Sequence, residues 1–166
     1  STVPGVYTVG YTICIVPAVI PAVCDSATVT ITVTAAINPV LEIGSAVAGV
    51  ASTPITNVRS NDTVNGAPAT SINSTIALDS TGPVLPVGMT LNTTTGAINT
   101  TAATPPGIYS VKYQLCDLNT PVNCASVTDT VTVAAAINPV LETGSAVAGT
   151  ASTPITNVRT NDTVNG

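Results

Sequence analysis

The sequence has no histidine, no phenylalanine and no tryptophan, and its aromatics are Tyr7, Tyr11, Tyr109 and Tyr113. Without histidine, the usual general base near neutral pH is missing, and with it the partner that would activate a cysteine or serine nucleophile. No G-x-S-x-G elbow, glycine-rich phosphate loop or suggestively spaced carboxylate pair occurs either, so neither an active site nor a cofactor is expected. Charge is scarce: three basic residues and eight acids in 166 residues give a net charge of −5. Arg59, Lys112 and Arg159 form no basic patch, so nucleic acid is not an expected partner. The most apolar run, Ile13 to Val23, is too short to span a bilayer and is interrupted by Pro17 and Pro21.

What is abundant is Thr, Val, Ala, Asn and Pro, a mixture that suits strands and turns and suits helices poorly. Hydrophobic residues make up 45% and charged residues 7%, the opposite of the balance that keeps a chain disordered. With so few aromatics, any core must be aliphatic.

The chain repeats itself at an offset of 100 residues. Residues 35–66 and 135–166 differ only at positions 43/143, 50/150 and 60/160. Two of the differences replace Ile43 and Val50 by threonine, so both positions are expected to be at least partly exposed. The start of the chain matches the second half of the same unit. Pro4-Gly5-Val6-Tyr7 parallels Pro106-Gly107-Ile108-Tyr109, and Thr28 to Val33 parallels Thr128 to Val133. The organisation read from this is the C-terminal part of one repeat (1–34), a complete repeat (35–134) and the N-terminal part of the next (135–166). A stretch of a longer protein is expected, with adjacent repeats or neighbouring copies as its partners.

Within the complete repeat, Tyr109, Val111, Tyr113 and Leu115 alternate with Ser110, Lys112, Gln114 and Cys116, the period of a half-buried strand. Shorter strands are predicted at Pro39–Glu42, Ile55–Arg59, Ser74–Leu78, Met89–Leu91 and Ala97–Asn99, separated by turns such as Asn65-Gly66 and Thr95-Gly96. About seven short strands in a hundred residues point to an all-β fold of tandem immunoglobulin-like β-sandwich domains, with a barrel as the alternative. Asp129 falls on the apolar register of its strand, where the first repeat has Val29, and it is expected either at a domain edge reaching water, the favoured reading, or paired with a neighbour's donor.

Cys14/Cys24 and Cys116/Cys124 form two local pairs, each bracketing the junction between the last two strands of a repeat. Zinc spacing and a catalytic base are both missing, so a disulfide is expected across each hairpin. Closing such a loop stabilises by roughly 2.5–3 kcal/mol in the chain-entropy view, and it places the protein outside the cytoplasm. The residues inside the staples differ, apolar from Ile15 to Val23 and polar from Asp117 to Asn123, which reads as a tolerant surface loop. Alternatively, Ile15 to Ile20 form an exposed contact patch.

Asn61, Asp62 and Asn65, with their copies Asn161 and Asp162, faintly resemble an oxygen-rich calcium loop. One carboxylate per loop is few, and Ile72 stands where a bidentate glutamate would be wanted. The plainer expectation is a turn capped by its own side chains, with Arg59 pairing with Asp62.

The combined pattern N-V-x-x-N-D-T-x-N-G-A-P, P-x-G-M-T-L-N-x-x-T-G-A-I and P-G-I-Y-S-V-K-Y-Q-L-C-D-x-x-x-P-x-N-C resembles bacterial Ig-like tandem repeats of giant surface and secreted proteins of Bacteroidota. The first partial repeat departs from it by lacking the D-x-x-x-P-x-N stretch. The resemblance implies an extracellular, cell-surface or secreted adhesin, stalk or fibre. It also implies a pattern of O-glycosylation at an Asp followed by Ser or Thr, which marks Ser26, Thr63, Ser80, Thr130 and Thr163. The function expected is a rod-like structural spacer. The alternatives are a ligand-binding module for carbohydrate or protein, or a spacer for a catalytic domain elsewhere.

Overall fold

The computed structural model describes residues 2–15 and 23–165. Among them there is no helix, and fourteen strands follow one another. Strands β1 (Gly5–Cys14) and β2 (Cys24–Val33) form a hairpin whose ten residue pairs run from Gly5↔Val33 to Cys14↔Cys24. They pair with no other strand among the described residues. Next come β3 (Ile37–Asn38), β4 (Ile43–Val47), β5 (Ser52–Ile55), β6 (Thr63–Val64), β7 (Ala67–Pro68), β8 (Ser74–Leu78), β9 (Met89–Leu91) and β10 (Ile98–Thr100). The long strands β11 (Gly107–Asp117) and β12 (Cys124–Ala134) follow, and then the short β13 (Ile137–Asn138) and β14 (Thr163–Val164), paired with each other.

Seven of the strands between 43 and 134 make two sheets, one of four strands in the order β4-β12-β11-β8 and one of three in the order β5-β10-β9. Both sheets stay open at their edges and share a single core, which is the immunoglobulin-like sandwich rather than a barrel. A third, short sheet is made of β3, β6 and β7. One pairing is parallel: β4 runs beside β12, with Thr130↔Ile43 and Ala134↔Val47.

The alternation read from the sequence appears in the burial of β11, where Val111, Tyr113 and Leu115 are fully enclosed while Ser110 is exposed. Ile76 of β8, Val131 and Val133 of β12, Ile55 of β5, Met89 of β9 and Ile98 of β10 close the core from the two sheets. Glycine allows the sheets to meet closely at one edge: a Cβ on Gly44 would sit 2.7 Å from the carbonyl oxygen of Pro54. Ile43 and Val50 are 75% and 56% exposed, as their replacement by threonine in the next copy implied.

Two strand assignments shift, each for a physical reason. Pro39–Glu42 is not a strand, because the N–H groups of Val40 and Glu42 are taken by the side chains of Asp62 and Asp129 instead of by a neighbouring strand. The strand expected at Ile55–Arg59 lies earlier, at Ser52–Ile55. Asn57 accepts the Arg59 N–H with its side chain at 3.0 Å and folds this segment into turns. Ser74–Leu78 and Met89–Leu91 form strands at the expected bounds, and the strand expected at Ala97–Asn99 moves one residue on, to Ile98–Thr100.

Truncating Leu115 to alanine removes a fully buried side chain and is expected to cost about 2–4 kcal/mol. Ile43→Thr, an exposed change already present at position 143, is expected to stay within about 0.5 kcal/mol. Urea unfolding of the two variants checks both figures.

Candidate functional site: the junction between repeats

Ala35 and Ala36, at the start of the repeated segment 35–66, are held from two directions. Asn65-Gly66 makes a tight turn between β6 and β7 with φ of 53° and 79°, the left-handed pair that a type I′ hairpin requires. The turn presents Asn65 to Ala36: the Asn65 N–H donates to Ala36 O at 2.7 Å, and the Ala36 N–H donates to Asn65 Oδ1 at 2.9 Å. From the other side, Asn123 Nδ2 donates to Ala35 O at 2.7 Å. Ala35 is buried at this point.

Asn123 is delivered by the disulfide loop. Cys116 and Cys124 are joined with their Cα atoms 4.1 Å apart, and Cys14 and Cys24 are joined in the same way at 4.0 Å. Asp117, buried just inside the staple, organises the polar loop. Its Oδ1 accepts the Asn123 N–H at 2.7 Å, its Oδ2 accepts from Asn119 Nδ2 at 2.7 Å, and its own N–H donates to Asn123 O at 3.0 Å. The 117–123 loop is therefore a built bracket for the junction, not the tolerant surface loop expected from its variable content. In the first partial repeat the Cys14–Cys24 loop continues the ladder with Ile15 N–H donating to Val23 O at 3.0 Å, and no asparagine stands at the position of Asn123. The apolar patch expected from Ile15 to Ile20 falls, apart from Ile15, outside the described residues.

The same clamp recurs at the next junction. Asn165, at φ 63°, donates its N–H to Ala136 O at 2.7 Å and accepts the Ala136 N–H at 3.0 Å.

Behind the junction lies a group of buried acids. Asp62 Oδ1 accepts the Val40 N–H at 2.7 Å, and Oδ2 accepts the Tyr113 hydroxyl at 2.8 Å, a hydroxyl also 2.9 Å from Val58 O. Burial raises the Asp62 pKa against the pull of these bonds, and burial together with Asp62 pushes that of Tyr113 upward. Asp129 is fully buried between β12 and the 39–42 segment, not at a domain edge as its register suggested. Its Oδ1 accepts the Glu42 N–H at 2.9 Å, while Oδ2 has no partner. Burial, with Glu42 and Asp62 nearby, pushes the Asp129 carboxyl up to about 7. Glu42, bonded by the Ser60 hydroxyl, is raised by burial too.

Arg59 does not form the expected ion pair with Asp62. Its guanidinium reaches the carbonyl oxygens of Thr93 and Thr94 at 3.4 Å each, and it acts on Asp62 only through its field. Among the described residues the one ion pair is Lys112–Asp79, at 3.3 Å. Hydrogen bonds from the Ser126 and Thr81 hydroxyls, with Lys112 beside them, hold the Asp79 carboxyl well below the usual range.

Two of the calcium candidates are engaged in the turn's own hydrogen bonds. Asp62 and Asn65 aim their oxygens at N–H and O–H donors in different directions, and Asn61 is exposed beside them. Asp162 likewise accepts the Val140 N–H at 2.8 Å, and Asn161 is exposed. In both copies these oxygens serve as turn clamps. Of the Asp-Ser/Thr positions, Ser26, Ser80 and Thr163 are exposed, while Thr63 and Thr130 are half-buried behind the buried Asp62 and Asp129.

No family model matches the chain, and no curated protein matches it. Among solved structures it is similar to protocadherin gamma C5 EC1-3, at 10% identity and a TM-score of 0.43, covering 77% of this chain and 43% of that one. It is similar to the protocadherin gammaB4 extracellular domain at 12% and 0.43, covering 84% and 24%, and to mouse clustered PcdhgC3 EC1-3 at 15% and 0.40, covering 77% and 43%. The chain thus spans less than half the length of these structures. At these scores, the fold assignment rests on the strand order and the shared core.

Asp129 gives the sandwich a pH dependence of definite sign. Its folded pKa, about 7, lies above the ordinary 3.8, so the folded state holds the proton more tightly than the unfolded one. Its stabilising contribution is full below about pH 4 and is lost as pH rises toward 7, on the order of 2–4 kcal/mol in all. Glu42 and Asp62, also raised, add to the same slope. Urea midpoints measured from pH 4 to 8 are expected to fall with pH, and Asp129→Asn to flatten much of that fall. An unchanged slope in the variant would assign it to other groups.

Proposed function

We propose that this chain is a stretch of immunoglobulin-like repeats from an extracellular bacterial surface or secreted protein, of the Bacteroidota type its motifs resemble. It acts as a stiff, non-catalytic spacer in a stalk, fibre or adhesin. One observation carries this reading. Ala35 enters beside Asn123, next to the first residue of β12, and Ala134 leaves at the last residue of that strand. An eleven-residue strand spans roughly 33 Å, so entry and exit lie at opposite poles. Repeats joined pole to pole add up to a rod. The clamps at Ala36 and Ala136, and the bracket at Ala35, tie the first residues of a repeat to that repeat's own turns and so shorten the free linker at the joint. The two disulfides support an oxidising location outside the cytoplasm. The exposed Ser26, Ser80 and Thr163 are the positions where O-glycans of the Bacteroidota pattern would attach.

A second reading has one observation in its favour. Between the free edges of β8 and β9, a groove of about 480 Å³ is walled by Leu78, Leu85, Met89 and Leu91, with Lys112 and Asp79 at its rim. A module that grips a ligand there would show saturable binding by a single repeat on a glycan or peptide array.

Electron microscopy of the protein is expected to show straight rods whose length grows with repeat number, and compact isolated globules would overturn the spacer reading. Asn123→Ala is expected to leave the unfolding midpoint of the sandwich within about 1 kcal/mol while increasing curvature at the joint before residue 35. Small-angle scattering of parent and variant measures that change.

A further inference from the structure

The path of the chain through the sandwich sets how the complete repeat meets a pull on its two ends. From Ala35 to Ala48 the chain runs alongside β12 and in the same direction. It starts just before β12, where Asn123 Nδ2 holds Ala35 O at 2.7 Å. Farther on, Asp129 Oδ1 accepts the Glu42 N–H at 2.9 Å, and Glu42 O accepts the Thr130 N–H at 3.0 Å. Strand β4 then pairs with β12 in parallel, from Thr130↔Ile43 to Ala134↔Val47. The Ala48 N–H closes the far end of this seam on Ala134 O at 2.9 Å. Asn65 on Ala36 and Asp62 on Val40 fasten the same segment further. All of these contacts are made by residues 35–134 with one another.

We propose that the repeat bears mechanical tension, and that the parallel seam between residues 42–48 and β12 is the element that resists it. Tension along a tandem array pulls residue 35 outward at the entry pole and residue 134 outward at the exit pole. Because the two segments run the same way, these pulls slide them past each other along the strand axis. The bonds of the seam are then strained together, and the first to open gains nothing until its neighbours open too. An antiparallel pair pulled from two ends at one pole would instead peel, one residue pair after another. Resistance to a pull is set by the barrier to unfolding rather than by the free energy of folding. A sandwich whose core lacks Phe and Trp therefore still holds if its seam is loaded in this direction. The staple lies off this path: Cys116–Cys124 joins β11 to β12 and keeps the loop between them out of any extension.

Single-molecule pulling on the 166-residue chain tests this, with the direction of the pull as the variable. With handles at the two chain ends, the sandwich is expected to open in one step that releases roughly 300 Å, the extended length of residues 35–134 less the stapled loop. Reducing the disulfide is expected to lengthen that step by about 25 Å, which identifies it as the sandwich. With one handle moved to position 50 and the other kept at the C-terminal end, the same ladder is loaded from its Val47↔Ala134 pair and peels. The unfolding force is then expected to fall well below the end-to-end value. Ala48→Pro removes the N–H that closes the seam and is expected to lower the end-to-end force. Equal forces in the two directions would overturn the proposal, whether or not the variant folds. So would a folded variant that opens at the parent's force. The inference rests on the opposite-pole placement behind the spacer reading, yet the two fail separately. Particles that microscopy shows as rods, but that open at equal force in both directions, keep the spacer and remove the tension role.

Discussion

The antiparallel ladder between β11 and β12 is the constraint on which the rest of the structure depends. Its ten pairs run from Gly107↔Val133 to Cys116↔Cys124, and the disulfide closes one end. On one flank it templates β4, and on the other β8, so the whole four-stranded sheet takes its register from this hairpin. Its inward side chains supply five of the fourteen core residues. A sequence with no Phe or Trp has few large side chains with which to enforce a unique packing. A long, continuous ladder with a covalent end compensates, because hydrogen-bond register and loop closure do not depend on side-chain size.

The second theme is the use of side-chain oxygens where backbone partners run out. Asp62, Asp117, Asp129 and Asn65 each accept a backbone N–H from a segment outside regular strands. An unpaired buried N–H is costly, so these acceptors decide where irregular chain can be laid against the sandwich. Two of the four, Asn65 and Asp117, hold either the junction or the loop that brackets it. The same choice leaves Asp129 buried and electrostatically strained, a cost that the first repeat avoids with Val29.

Much of the fold was legible in the sequence because it rests on local periodicity. The alternation in Tyr109–Cys116 marked β11 and its buried face, Asn65-Gly66 marked a turn, and the cysteine spacing marked the staples. Residues 39–42 and 55–59 misled for a common reason. Both look apolar and extended, yet their N–H groups find side-chain acceptors and turn partners rather than strands. Asp129 misled because its partner, the Glu42 N–H, lies 87 residues away in sequence.

By itself, then, the sequence determined an all-β, disulfide-closed, repeating chain without histidine, since composition, period and cysteine spacing are properties of near neighbours along the chain. The tertiary structure alone decided that the polar loop inside the second staple is a bracket and that Asn65 is a clamp. It alone decided that the chain enters and leaves the sandwich at opposite poles. Each of these depends on which distant backbone groups come within hydrogen-bonding distance, and only the closing of the two sheets over one core brings them there.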